Sequence, residues 1–170
     1  MCALDLVLTL GVIRRLREHA ELLSSGGGSG DPLDMAVGEE VGEFSTSMVD
    51  GEPLTRGMLA EETLVAFFSP GCEPCREKLP RFVEHARTLP GGRDRVLAAV
   101  VGDAGEAAAF VAELSPFARV VVEAGPDDAL GRAFRARSYP TLLRVAPDDA
   151  GRLVVTANRV DLGRSAAAAR

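Results

Sequence analysis

Residues 63–68, TLVAFF, contain no charged side chain, and apart from Thr63 every one is apolar. A strand with one solvated face alternates polar and apolar residues, so an unbroken apolar run of strand length marks a strand covered on both faces of an α/β sheet. Pro70 and Gly71 break the run. From Cys72 to about Thr88, Cys75, Leu79, Phe82, Val83 and Ala86 share one helical stripe, with Arg76, Lys78, Arg81, Glu84 and His85 away from it. Strand and helix patterns then alternate: RVLAAVVG at 95–102, AGEAAAFVAEL at 104–114, ARVVVE at 118–123 and DDALGRAFRA at 127–136. That alternation implies parallel strands joined by crossover helices. TLLRVA at 141–146 and RLVVTA at 152–157 flank a Pro-Asp-Asp-Ala-Gly turn and read as an antiparallel hairpin. Residues 41–54, centred on Asp50-Gly51, read as a second hairpin at the domain's entrance. The expected fold is α/β: a mixed central sheet flanked by helices, with an N-terminal β-hairpin.

The chain of 170 residues suits one domain with appendages. Residues 1–24 form an expected N-terminal helix outside the domain, apolar through residue 13 except for Asp5 and Thr9, then basic at Arg14, Arg15 and Arg17. Thirteen residues at ~1.5 Å each reach about 20 Å, short of a roughly 30 Å hydrocarbon core, so the segment reads as the end of a membrane anchor. A start codon upstream of Met1 would complete the span; a helix lying in the membrane interface or packed on a core is the alternative. Residues 25–35 are a Gly/Ser linker, 36–160 the domain and 161–170 a flexible tail. A net charge of −6 leaves no basic surface for nucleic acid.

Cys72 and Cys75 form a Cys-x-x-Cys pair that follows a buried strand and opens a helix. The N–H groups and positive dipole end at a helix start favour thiolate, which makes Cys72 the expected nucleophile. Cys75, one turn on, points inward and is the expected resolving thiol, able to attack a mixed disulfide. Glu73 opposes a Cys72 thiolate, Arg76 and Lys78 favour it, and Pro74 limits backbone freedom between the cysteines. A zinc clip usually needs four Cys or His ligands, and no second Cys-x-x-Cys exists; an inert buried pair is the other alternative. No metal and no cofactor are expected.

With these residues in view, the chain resembles the thioredoxin-like thiol–disulfide oxidoreductases, in particular the membrane-tethered TlpA/ResA/MauD-type branch. The likeness rests on the strand-loop-CEPC-helix order, Pro80 five residues after Cys75, the tetrapeptide SYPT at 138–141 and the final hairpin, and covers roughly residues 36–157. It implies a cis Pro140 packed against the active-site disulfide and a Tyr139 backbone that pairs with an extended client peptide. It also implies that the strand-helix unit at 118–136 is an extra βα insertion typical of the branch. Departures bear on proton handling. Ala66 stands where plain thioredoxins keep a buried acid, Lys78 stands where ResA-like members have an acid, and Gly71 replaces a frequent tryptophan.

The function expected from the resemblance is disulfide reduction in protein clients, with re-reduction by a membrane or soluble redox partner and membrane association through residues 1–23. Two alternatives remain. SPGC at 69–72 is similar to the loop of some thiol peroxidases, although Val65 stands where those enzymes carry proline. Copper-handling proteins of this fold use a longer cysteine spacing and a downstream histidine, and no histidine follows His85. The resemblance places the tethered domain outside the cytoplasm, whereas Arg14, Arg15 and Arg17 would hold that flank inside.

Overall fold

The computed structural model describes residues 35–163. The expected N-terminal helix, all but the last residue of the linker and most of the tail lie outside the described residues. No helix among the described residues is long and apolar enough to cross a membrane.

A short hairpin, β1 (Ser45–Ser47) and β2 (Pro53–Thr55), comes first, with Ser45 opposite Thr55. Its turn closes through the Met48 N–H on the Glu52 carbonyl at 2.8 Å. Gly51 takes φ +85° there, a conformation that only glycine adopts freely.

The main sheet has the order β5-β4-β3-β6-β7, built from β3 (Thr63–Phe68), β4 (Val96–Val101), β5 (Arg119–Glu123), β6 (Thr141–Pro147) and β7 (Leu153–Ala157). β3 lies parallel to β4 and antiparallel to β6, so the sheet is mixed. Every residue of β3 and β4 is buried, as unbroken apolar runs require of strands covered on both sides. Successive side chains leave β3 on opposite faces. Phe67 enters a cluster with Phe44, Leu130 and Phe134, while Phe68 enters another with Phe82, Phe110 and Leu114. The second is built on α1 (Glu73–Thr88) and α2 (Ala104–Leu114), where Phe82 meets Phe68 edge-on at 5.2 Å. Asp103 caps α2 by accepting the Gly105 N–H at 2.8 Å.

Two expectations change. The helix expected over 127–136 shrinks to α3 (Ala129–Ala133). The Leu130 and Gly131 N–H groups bond to the Glu123 carboxylate, and the chain turns away at Arg135, φ +49°. β5 and α3 still form the additional strand-helix unit. His85, expected on the polar side of α1, is buried. At 100° per residue it lies at one margin of the apolar stripe and Val83 at the other. β6 covers the His85 margin, bringing Arg144 Nη2 within 3.2 Å of its Nε2, and Val83 is left half-buried.

Candidate active site

β3 delivers the chain to Ser69-Pro70-Gly71, where the Ser69 carbonyl accepts the Cys72 N–H at 3.1 Å. Cys72 is the N-cap of α1 with extended backbone, and its own carbonyl accepts the N–H groups of Cys75 at 3.2 Å and Arg76 at 3.3 Å. Pro74 occupies the first turn, where a missing N–H costs no hydrogen bond. The local sequence thus places the Cys72 side chain at the end of the helix whose N–H groups are unpaired.

The two thiols differ sharply in environment. Cys72 is half-buried; Cys75 is completely enclosed among Phe68, Leu79 and Phe82. Burial pushes the Cys75 thiol up to about 12, with its hydrogen bond to the Cys72 thiol adding to the effect. The Ser69 N–H, 3.4 Å from Cys75 Sγ, and more weakly Lys78 oppose that rise. Both cysteines are free thiols.

The sheet topology brings a distant segment to the pair. β6 runs antiparallel to β3, so the residues preceding Thr141 arrive at the end of β3 from which Cys72 departs. There the Tyr139–Pro140 bond is cis, and the Tyr139 carbonyl lies 3.4 Å from Cys72 Sγ, which donates to it. Cys72, Cys75, Tyr139 and Pro140 therefore share one place. The other candidates do not join them. Glu73 is exposed in the first turn of α1. Pro74, Lys78 and Pro80, with Glu77, Arg81 and Glu84, line an open groove of about 910 Å³ opposite Val160 and Leu162.

Two polar groups near this end of the sheet escaped the sequence reading. Glu123 closes β5 and is only 4% exposed. Burial pushes its carboxyl up, while the bonds from the Leu130 and Gly131 N–H groups pull it down. The Tyr139 hydroxyl is buried without a hydrogen-bond partner. An acid closing an apolar strand just before a Gly-containing turn was the one signal for the first; nothing local distinguished the second. Among the described residues, no three His, Cys, Asp or Glu side chains gather as metal ligands would.

No known family's sequence profile matches the chain, and no curated protein matches it. Its fold is similar to several solved structures. The thioredoxin domain of a thiol-disulfide oxidoreductase from Bacteroides vulgatus superimposes with a TM-score of 0.58 at 16% identity, over 75% of this chain and 92% of that one. A thiol:disulfide interchange protein of the thioredoxin family from Chlorobium tepidum gives 0.54 at 22% identity, over 76% and 92%. An exposed lipoprotein thioredoxin from Streptococcus pneumoniae gives 0.52 at 22% identity, over 71% and 93%. The described domain has the thioredoxin-like fold.

Proposed function

We propose that this thioredoxin-like chain is a thiol–disulfide oxidoreductase that reduces disulfides in protein clients through Cys72 and Cys75. The observation that carries the reading is the inequality of the two thiols: one half-exposed at a helix N-terminus, its neighbour enclosed and pushed up to about 12. Cys72 attacks a client disulfide and forms a mixed disulfide. Cys75 then gives up its proton and attacks the Cys72 sulfur, releasing the client's thiol and leaving a Cys72–Cys75 disulfide. Tyr139 and Pro140 border the place where the client strand meets Cys72.

Membership of the TlpA/ResA/MauD-type branch, a membrane tether and an extracytoplasmic domain belong to the same proposal. The CEPC and SYPT motifs, the additional β5–α3 unit and the apolar residues 1–13 support it, as does the likeness to a lipoprotein thioredoxin described as exposed. A membrane or soluble redox partner would return electrons to the disulfide. A topology reporter fused at Arg170 tests the location: a cytoplasmic signal refutes it.

Cys75→Ser is expected to accumulate a mixed disulfide with a client through Cys72, and Cys72→Ser to form none. Full multiple-turnover reductase activity in Cys75→Ser would overturn the two-thiol mechanism.

A further inference from the structure

β5 ends on a buried carboxylate, Glu123. A carboxylate out of water costs free energy unless its oxygens find donors, and both do: Oε1 accepts the Leu130 N–H at 2.6 Å and Oε2 the Gly131 N–H at 2.9 Å. Those N–H groups belong to the first turn of α3, where no carbonyl of the helix can reach them. The N-cap residue Asp128 does not serve them, because its side chain accepts the N–H groups of Ala124 at 2.7 Å and Gly125 at 3.2 Å instead. α3 has five residues, too few to offset the cost of starting a helix by its own hydrogen bonds. Leu130 and Phe134 are buried, with Phe134 5.6 Å from Phe67, but apolar packing carries no direction. Among the described residues, two hydrogen-bonded contacts orient α3 from outside: Glu123 at its start, and the Gly42 N–H on the Ala133 carbonyl, 2.9 Å, at its end.

The two residues that Glu123 holds pass the constraint along the chain. The Leu130 carbonyl accepts the Phe134 N–H at 2.9 Å, and the Gly131 carbonyl accepts the Ala136 N–H at 3.0 Å. Ala136 is buried. Arg137 pairs with Asp127, just before α3, at 2.7 Å. The Ser138 carbonyl accepts the Thr141 hydroxyl at 2.8 Å. Tyr139 follows, with its carbonyl 3.4 Å from Cys72 Sγ. A run of short contacts thus joins the carboxylate on β5 to the backbone that faces the nucleophile.

We propose that Glu123 is a positioning residue for client binding: by holding the N–H groups of Leu130 and Gly131 it fixes residues 134–139, and with them the Tyr139 backbone beside which an extended client meets Cys72. The inference rests on the thiol–disulfide reading above and deepens it, because it makes the site selective for disulfides carried on extended polypeptide over small disulfides. Glu123 itself touches neither client nor sulfur. Cys72 and Cys75 are placed by β3 and α1, so loss of the carboxylate leaves the thiols where they are. It displaces the backbone that meets the rest of the client, and the loss falls on affinity, not on the rate of sulfur transfer once bound.

Two disulfides with the same leaving group separate affinity from transfer. One is 5,5′-dithiobis(2-nitrobenzoic acid); the other is a short unstructured peptide whose single cysteine is in a mixed disulfide with 2-nitro-5-thiobenzoate. In both, the Cys72 thiolate attacks one sulfur, the disulfide bond breaks and coloured 2-nitro-5-thiobenzoate leaves. Cys75 then loses its proton to solvent, bonds to the Cys72 sulfur and displaces the remaining thiol, so two electrons pass from the dithiol to the probe. Single-turnover rates are followed against probe concentration for wild type, Glu123→Gln, Glu123→Ala and Asp128→Ala, the last losing the bonds to Ala124 and Gly125 but none to Leu130 or Gly131. The half-saturating peptide concentration should rise roughly tenfold in Glu123→Gln, which keeps one acceptor oxygen, and further in Glu123→Ala. The limiting rate and the reaction with the small disulfide should stay within about twofold of wild type, and Asp128→Ala should match wild type with both probes. The amide NMR signals of Arg137, Ser138 and Tyr139 should shift in Glu123→Gln, which carries the test alone should Glu123→Ala fail to fold. An unchanged half-saturating peptide concentration in Glu123→Gln overturns the assignment even if its urea midpoint falls, because the carboxylate would then only stabilise α3. Equal slowing with both probes, or equal weakening in Asp128→Ala, also overturns it. Absence of coloured release from either probe by wild type would instead refute the thiol–disulfide reading itself.

Discussion

Alkylation of the reduced protein reads the difference between the two thiols directly. At pH 8 an ordinary thiol near 9.0 is ionised to about one part in ten, whereas one pushed up to about 12 is ionised to about one part in 10⁴. Since the thiolate is the reacting species, Cys75 should react with iodoacetamide about a thousandfold more slowly than an ordinary cysteine. Enclosure among Phe68, Leu79 and Phe82 adds a steric factor, so the ratio is a lower bound. The pH dependence separates the two causes, because steric shielding lowers the rate without moving the inflection. Timed alkylation with peptide mass mapping, from pH 7 to 11, should show Cys72 modified first and the Cys75 rate still rising tenfold per pH unit beyond pH 10. Modifying Cys72 removes its hydrogen bond to Cys75 but not the burial, the larger cause. A Cys75 rate that levels off near pH 9 would refute this account of the pair.

Burial, followed by the Arg144 charge, holds His85 below its ordinary value of 6.5, with Asp161 opposing. The unfolded chain therefore takes up this proton first as pH falls, so the His85 contribution is complete above about 6.5 and is lost at lower pH. His85→Gln should flatten the urea-midpoint slope between pH 7 and 5; an unchanged slope would contradict the assignment. A Cβ on Gly131 would lie 2.4 Å from the Pro126 carbonyl oxygen, so Gly131→Ala should cost about 1–3 kcal/mol in urea denaturation, and wild-type stability would refute the contact. Arg119 is buried with its Nε and one terminal nitrogen unpaired, so Arg119→Met should raise stability by ~1–3 kcal/mol, and a loss would mean that the guanidinium has a stabilising partner.

Elements whose signal is local were legible in the sequence. The apolar run 63–68 coincides with β3, and the pattern at 104–114, opened by an Asp cap, coincides with α2. The placement of Cys72 and Cys75 at the start of a helix was equally legible, because strand, breaker and stripe lie within a few turns of chain. What depended on tertiary neighbours was not. Ten residues with helical character yield only five in α3: the otherwise unpaired N–H groups of Leu130 and Gly131 in its first turn bond to the buried Glu123 carboxylate on β5, and the chain turns out of helical conformation at Arg135, φ +49°. His85 reads as polar and exposed until β6 lays Arg144 over it. The approach of Tyr139 to Cys72 spans 67 residues and exists only because β6 runs antiparallel to β3, which motif likeness implied but periodicity could not. Glu73, Lys78 and Pro80 are adjacent to the cysteines in sequence, yet helical rotation turns them toward solvent or the outer groove.

The central claim is that Cys72 and Cys75 interconvert reversibly between dithiol and disulfide at a reducing potential. Equilibrating the protein across dithiothreitol and glutathione redox buffers, and quantifying the Cys72–Cys75 disulfide by mass after acid quenching, tests it most directly. The account predicts one two-electron transition near the thioredoxin range, about −270 mV. A transition near −120 mV would contradict the reducing direction, and no reversible transition would contradict the claim itself.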